Sequence, residues 1–121
     1  MAKRILLIED DLDIQRIYST KLSANGFEVN LAVDAMQGLN LAQTQPPALI
    51  LLDIMLPGQM NGLDFLKKLK SDDKLKKIPV VVLTNLDTEK EEALKLGAVD
   101  YFIKSNTELS DIVEKTSKYA R

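Results

Sequence analysis

Five short apolar runs, each followed by a longer segment with helical spacing, constrain the fold of this 121-residue chain most strongly. The runs are RILLI at 4–8, FEVNLA at 27–32, ALILL at 48–52, IPVVVL at 78–83 and VDYFI at 99–103. Runs of this length are typical of β-strands, and strands that are apolar throughout are covered on both faces. The alternation therefore predicts five βα units, with a parallel sheet between two layers of helices.

The segments between and after these runs carry apolar residues at helical spacing. The predicted apolar faces are Ile14, Ile17, Tyr18 and Leu22 in the first helix, Ala35, Leu39 and Ala42 in the second, Leu63, Leu66 and Leu69 in the third, and Leu109, Ile112, Val113 and Thr116 in the fifth. Asp34 is placed to cap the second helix, and Thr88 with Glu91 has the pattern of a capping box for the fourth. Gly26 and Gly97 are predicted to end the first and fourth helices.

Length and composition exclude several classes of function. The chain is long enough for one domain over residues 1–121 and too short for two. Its formal net charge of -2 creates no strong field for nucleic acid or an anionic membrane, so direct contact with either is not expected. The absence of cysteine excludes disulfides and thiolate chemistry. The apolar stretch Ile5 to Ile8 is too short for a membrane or targeting segment, so we expect a soluble cytoplasmic domain.

Polar side chains stand at the carboxyl ends of four predicted strands, where open parallel sheets bind their ligands. They are Glu9, Asp10 and Asp11 after the first strand, Asp53 after the third, Thr84 and Asn85 after the fourth, and Lys104 after the fifth. Each has an ordinary explanation alone, since Asp10 or Asp11 could cap a helix and Lys104 could be solvated. Their placement along one edge of the sheet favours a joint site.

The chemistry of these groups supports a joint site. Carboxylates in contact repel one another unless a cation joins them, and hard oxygen ligands of this kind suit Mg²⁺. A carboxylate beside that metal can attack a phosphoryl group and form an acyl phosphate. Lys104 and Thr84 would then hold the charge that arrives.

With these motifs the chain resembles a response regulator receiver domain, the phosphoacceptor half of two-component signalling, over essentially its whole length. The motifs are IEDD at 8–11, LLDIMLPG at 51–58, VVVLTN at 80–85 and DYFIKS at 100–105. The resemblance implies an α/β fold of the flavodoxin-like (βα)5 type, a doubly wound five-stranded parallel sheet with the strand order 2-1-3-4-5.

By the same resemblance, the acids form the reacting centre. Asp53 is the phosphoacceptor, and Glu9 and Asp10 hold Mg²⁺ together with Asp53. The backbone carbonyl of Met55 completes the protein ligands of the metal.

The resemblance also implies a switch. Thr84 is similar to the hydroxyl that binds the phosphoryl group, Lys104 to the lysine that pairs with it, and Tyr101 to the switch aromatic. A sensor histidine kinase, a phosphotransfer protein or a small phosphodonor would supply the phosphoryl group. The face formed by the fourth helix, fifth strand and fifth helix would then meet a downstream protein.

Such a chain is a phosphoacceptor that also loses its phosphoryl group, not a turnover enzyme. Met55, Asn85 and Leu86 stand where the family borders the path of attacking water. Met55 and Leu86 offer no group to orient that water, so we predict slow self-dephosphorylation. In the alternative, Met55 faces solvent and Asn85 itself positions the water.

Among the departures from the usual family pattern, two are single residues beside the predicted site. Asn85 replaces the small residue that commonly follows the switch hydroxyl, and Ser105 replaces the proline that commonly follows the lysine. Family members with that proline hold the bond before it in the cis form. Because a cis bond without proline costs about 3 to 4 kcal/mol, the Lys104–Ser105 bond is predicted to be trans.

Other classes fit the residues less well. A flavin binder would place a glycine- and hydroxyl-rich loop after the first strand, where EDDLD at 9–13 would repel phosphate. A phosphatase of the haloacid type needs a second acid two residues after its nucleophile, where Met55 stands, and a Toprim-type nuclease needs a similar acid pair. The closest alternative is a degenerate receiver that binds partners without phosphorylation, and the retained acids, Thr84 and Lys104 argue against it.

Overall fold

The computed structural model describes residues 2–120, so the two terminal residues of the predicted domain lie outside it. In chain order the elements are β1 (Arg4–Ile8), α1 (Leu12–Ala24), β2 (Glu28–Ala32), α2 (Ala35–Thr44), β3 (Leu49–Leu52), α3 (Gly62–Ser71), β4 (Val80–Thr84), α4 (Lys90–Lys95), β5 (Asp100–Ile103), a 3-10 turn (Lys104–Asn106) and α5 (Leu109–Tyr119). All five predicted strands are confirmed, with small differences at their ends.

The five strands form one parallel sheet in the order β2-β1-β3-β4-β5, which confirms the predicted topology. Successive side chains of β1 alternate between two apolar clusters. Leu6 and Ile8 pack with residues of α2, α3 and α4, and Ile5 and Leu7 pack with residues of α1 and α5. Because both faces are covered in this way, the strands are apolar throughout and the sheet is doubly wound.

The predicted helices all form, with two corrections to their details. Ile17 was predicted on the buried face of α1 but is 49% exposed, whereas Gln15 is buried. The predicted capping box of Thr88 and Glu91 is wrong, because α4 begins one residue later with Glu89 at its N-cap and no side-chain cap bond. Glu91 therefore lies too early in the helix to close the box.

Other predicted helix ends are confirmed. The side chain of Asp34 accepts a hydrogen bond from the Gln37 N–H at 2.8 Å, so it caps α2. Gly26 and Gly97 follow α1 and α4 with φ of 90° and 109°, the left-handed conformation that a side chain would disfavour. None of the helices within residues 2–120 has the length and apolar character to cross a membrane.

Candidate functional site

The register of the sheet brings the first and third strand ends together. Ile8 of β1 pairs with Leu52 of β3, so the next residues, Glu9 and Asp53, leave the sheet side by side. Carboxylate oxygens of Glu9, Asp10 and Asp53 all lie within 4.8 Å of one another. Glu9 is 2% exposed and Asp53 is 5% exposed, whereas Asp10 is open to solvent. The predicted acid cluster therefore exists, with two of its three carboxylates buried.

Lys104 lies across the two buried acids. Its Nζ donates to Asp53 Oδ2 at 2.8 Å and to Glu9 Oε1. Burial opposes the charged form of Lys104, but these two carboxylates outweigh it, so the pKa of Lys104 is raised above its usual value. Burial is also the main reason that the pKa of Glu9 is raised, against the opposing effect of its bond to Lys104. The ammonium group of Lys104 thus contacts both buried carboxylates, which favour its charged form.

The loop after β3 fixes the orientation of Asp53. The Met55 N–H donates to Asp53 Oδ1 at 3.0 Å, while the other oxygen meets Lys104. Gly62, the first residue of α3, packs so closely on this loop that a Cβ there would lie 2.4 Å from the Asp53 carbonyl oxygen. Only glycine allows this approach. The start of α3 therefore sits directly on the backbone of the residue predicted to react.

Most of the predicted site residues lie together, and the others lie beside them or are buried. Six of them line one recess of about 260 Å³, which we call the acidic recess: Glu9, Asp10, Asp53, Met55, Asn85 and Lys104. The Met55 side chain is 56% exposed at its rim. Leu86 lines an adjoining recess instead, together with Met55. Thr84 is fully buried, and Tyr101 is nearly so.

The predicted switch residues contact the same loop after β4. The Leu86 N–H donates to Thr84 Oγ1 at 3.4 Å, which is a weak bond. The Tyr101 hydroxyl donates to the Leu86 carbonyl oxygen at 2.5 Å. Tyr101 therefore points inward and is linked through Leu86 to the segment that carries Thr84.

Two residues position Glu9: Gln15 was missed in the sequence, and Asp11 was considered there only as a possible helix cap. The Gln15 side-chain amide donates to the carbonyl oxygens of Glu9 and Ala32 at 3.2 and 3.1 Å, and so ties β1 to β2. The Asp11 N–H donates to Glu9 Oε2 at 3.1 Å, while the Asp11 side chain caps α1. The sequence signal for Gln15 is a polar side chain at a position that faces the sheet. Such a side chain is buried only where it finds hydrogen-bond partners.

The loop after β5 also bears on the site. All peptide bonds within residues 2–120 are trans, so the prediction of a trans Lys104–Ser105 bond is confirmed. The Ser105 N–H donates to Asn85 Oδ1 at 3.0 Å. The side-chain oxygen of Asn85, the residue considered for positioning water, is therefore bonded to the neighbouring loop.

The donor set of the acidic recess fits a hard divalent cation. Glu9, Asp10 and Asp53 offer only oxygen, which is what Mg²⁺ and Mn²⁺ take from proteins. Three neighbouring carboxylates face one lysine, so a divalent cation would offset the remaining negative charge. On donor chemistry, the residues present fit the metal that the sequence predicted.

Comparison with known proteins agrees with this geometry. A family model described as the response regulator receiver domain matches residues 5–116. The polar-differentiation response regulator DivK of Brucella anthropi is 30% identical over 120 residues, which cover 98% of this chain and 97% of that protein. The phosphate regulon transcriptional regulatory protein PhoB of Escherichia coli is 41% identical over 106 residues, 86% of this chain and 46% of that protein.

A solved structure matches as well. The Mn²⁺-bound form of response regulator Rcp1 is 30% identical with a TM-score of 0.83, and the match covers 97% of this chain and 93% of that one. The chain spans less than half the length of several curated relatives that it matches, PhoB among them. The fold, the acid cluster and the match over nearly all of its residues agree, and the chain belongs to the response regulator receiver domain family.

Proposed function

We propose that this chain accepts a phosphoryl group on Asp53 in a two-component phosphorelay. The single observation that carries the proposal is the setting of the Asp53 carboxylate. One oxygen is held by the Met55 N–H, the other is paired with Lys104, and the acid cluster lies alongside. The donor would be the phosphohistidine of a sensor histidine kinase or phosphotransfer protein, or a small phosphodonor.

The transfer would be an in-line displacement. An Asp53 carboxylate oxygen attacks phosphorus, and the bond from phosphorus to the nitrogen or oxygen of the donor breaks. A histidine nitrogen takes up a proton as it leaves, whereas the acetate of acetyl phosphate leaves as the anion. Lys104 is close enough to Asp53 to move from the carboxylate to the arriving phosphoryl oxygens. The Met55 N–H keeps the nucleophile oriented.

Mg²⁺ would be held by Glu9, Asp10 and Asp53, with the Met55 carbonyl as a fourth protein ligand. When bound, the metal neutralises charge on the phosphoryl oxygens. The Mn²⁺-bound relative Rcp1 supports this choice of cation class, because its sequence is 30% identical to this chain. Glu9 and Asp10 thus act as ligands, and only Asp53 changes its covalent bonds.

The phosphoryl group would carry a charge of about -1.5 to -2. Because it replaces the carboxylate charge of Asp53, the net charge at this strand end would change by roughly -0.5 to -1. Thr84 and Lys104 would reorganise around it, and Tyr101 would follow through its bond to Leu86. We propose that the face of α4, β5 and α5 then meets a downstream protein. The chain would act in the cytoplasm as a phosphoacceptor that loses the group slowly, not as a turnover enzyme.

Incubation with acetyl phosphate and Mg²⁺, followed by intact mass measurement, tests the proposal. The protein should gain one phosphoryl group, and Asp53→Asn should gain none. Asp73→Asn is the matched control, since that acid lies on the surface and pairs with Lys76. A phosphoryl group on Asp53→Asn, or labelling that persists with a chelator, would contradict the assignment. A folded wild type that gains nothing would favour the degenerate receiver.

A further inference from the structure

The two single residues beside the site that depart from the usual family pattern contact each other. Asn85 follows Thr84 and Ser105 follows Lys104, so the pair lies 20 positions apart in the chain. Its hydrogen bond, from the Ser105 N–H to Asn85 Oδ1, is 3.0 Å long. A small residue at 85 would offer no side-chain acceptor, and a proline at 105 would offer no N–H. The two departures are therefore chemically matched.

This bond lies where the backbone ladder has ended. The last pair of β4 and β5 is Thr84 with Ile103, so no strand pairing joins the loops beyond it. The Ser105 N–H also belongs to the start of the 3-10 turn, where N–H groups lack partners within the turn. Ile103 precedes this turn and supplies no side-chain cap. Asn85 therefore caps the turn from the neighbouring loop.

The capped turn begins with Lys104 itself. Lys104 extends from this turn to Asp53 Oδ2, and Asn85 lines the same acidic recess. Holding the peptide that follows Lys104 restricts the directions in which its long side chain leaves the backbone. A lysine side chain loses much conformational entropy when it is fixed in one rotamer. Restraining the backbone from which the side chain extends reduces that entropy loss.

We propose that Asn85 is a positioning residue for Lys104, acting through the Ser105 N–H. This inference rests on the proposed function, because the step that it serves is the phosphorylation of Asp53. Asn85 touches neither Asp53 nor Lys104 through a hydrogen bond of its own. Its effect passes through the backbone of the 3-10 turn.

The bond itself is tested without any phosphodonor. Amide hydrogen exchange followed by NMR should be about 3- to 10-fold faster at Ser105 in Asn85→Ala than in the wild type, the range expected for the loss of one such bond. The amide of Ile50, in the middle of the sheet, should be unchanged. Equal exchange at Ser105 in the two proteins would overturn the proposal.

The positioning role is tested by the rate of Asp53 phosphorylation from acetyl phosphate. Asn85→Ala should slow it about 3- to 10-fold in the wild-type background. In a Ser105→Ala background, which keeps the N–H, Asn85→Ala should slow phosphorylation by the same factor. In a Ser105→Pro background, which lacks the N–H, Asn85→Ala should change the rate by less than about 2-fold. Slowing by the same factor in the proline background would overturn the proposal.

A Lys104→Met background separates positioning from a general structural role. If Asn85 acts through Lys104, Asn85→Ala should cause no further slowing once Lys104 is gone, whereas a structural defect would slow every background. Undiminished slowing there, or no slowing in the wild type, would overturn the role. A wild type that accepts no phosphoryl group would overturn the proposed function and this role together, while the exchange measurement would still report on the bond.

Discussion

Replacing Lys104 by methionine tests how the buried charges of the site depend on one another. Methionine keeps an unbranched apolar stem of similar reach but removes the ammonium group. Lys104 Nζ contacts Asp53 Oδ2 at 2.8 Å and also contacts Glu9, and all three side chains are at most 9% exposed. The variant therefore keeps two buried carboxylates side by side without their cation.

The size of the effect follows from this geometry. At 2.8 Å and an effective dielectric constant of about 20, one such pair attracts by roughly 6 kcal/mol. Desolvation of Lys104 offsets part of this attraction, and removing one partner of a buried pair typically costs about 3 to 5 kcal/mol. We expect the free energy of unfolding to fall by about 3 kcal/mol at pH 7, because water in the recess and protonation of Glu9 relieve part of the repulsion.

Urea denaturation at pH 7 with a chelator present measures this loss. Lys76→Met is the matched control, since Lys76 pairs with Asp73 on the surface, and it should change the free energy of unfolding by less than about 0.5 kcal/mol. A Lys104→Met variant within about 1 kcal/mol of the wild type would refute the view that the lysine balances two buried carboxylates.

The same variant should respond to pH with a defined sign. The pKa of Glu9 is raised in the folded protein, chiefly by burial, so the stability linked to Glu9 is fully present below its unfolded value of 4.5. That stability is lost as the pH rises through the folded value. Without Lys104 the loss should be larger, so the gap between variant and wild type should narrow as the pH falls from 7 towards 4.5. A gap that widens on acidification would contradict this account.

Two further predictions concern the surroundings of Asp53. Met55→Asn should speed the loss of the phosphoryl group by about 10-fold or more, because an amide at the rim of the recess can orient water where methionine cannot. The decay of the phosphorylated protein after removal of the donor measures this rate. Equal decay rates in the variant and the wild type would count against an apolar barrier. Gly62→Ala should lower the free energy of unfolding by about 1 to 3 kcal/mol, because its Cβ would lie 2.4 Å from the Asp53 carbonyl oxygen. Chemical denaturation measures this loss, and Gly58→Ala is the comparison, because a Cβ there meets nothing within 4 Å but φ is 95°. Equal losses of the free energy of unfolding in the two variants would argue against the clash.

The features that the sequence predicted well are local or periodic. The run RILLI is apolar after Arg4 because β1 lies inside the sheet and is covered on both faces, and its bounds were predicted without error. Asp34 caps α2 through a residue only three positions away, and such contacts are visible in the sequence. The cluster of Glu9, Asp10 and Asp53 followed from the rule that parallel strands end at one edge.

The missed features depend on partners that are distant in the chain. Ile17 has the spacing of a buried residue, but the inward position is taken by Gln15, whose side-chain amide donates to the carbonyl oxygens of Glu9 and Ala32. Asn85 and Ser105 were each recognised as unusual, yet their contact depends on how two loops leave the sheet. Neither arrangement leaves a periodic pattern in the sequence.

The fourth helix is the shortest of the α-helices within residues 2–120. α4 has six residues, no side-chain cap bond, and Ala93 as its buried residue. A helix of this length has almost no stability in isolation, so its conformation is set by what it packs against. Displacing it therefore breaks few favourable contacts, and the few kcal/mol released by new bonds around a phosphoryl group would be enough to change its position. We expect the amides of α4 to exchange with solvent sooner than those of the longer helices, which would make this helix the part of the receiver that yields first to a signal.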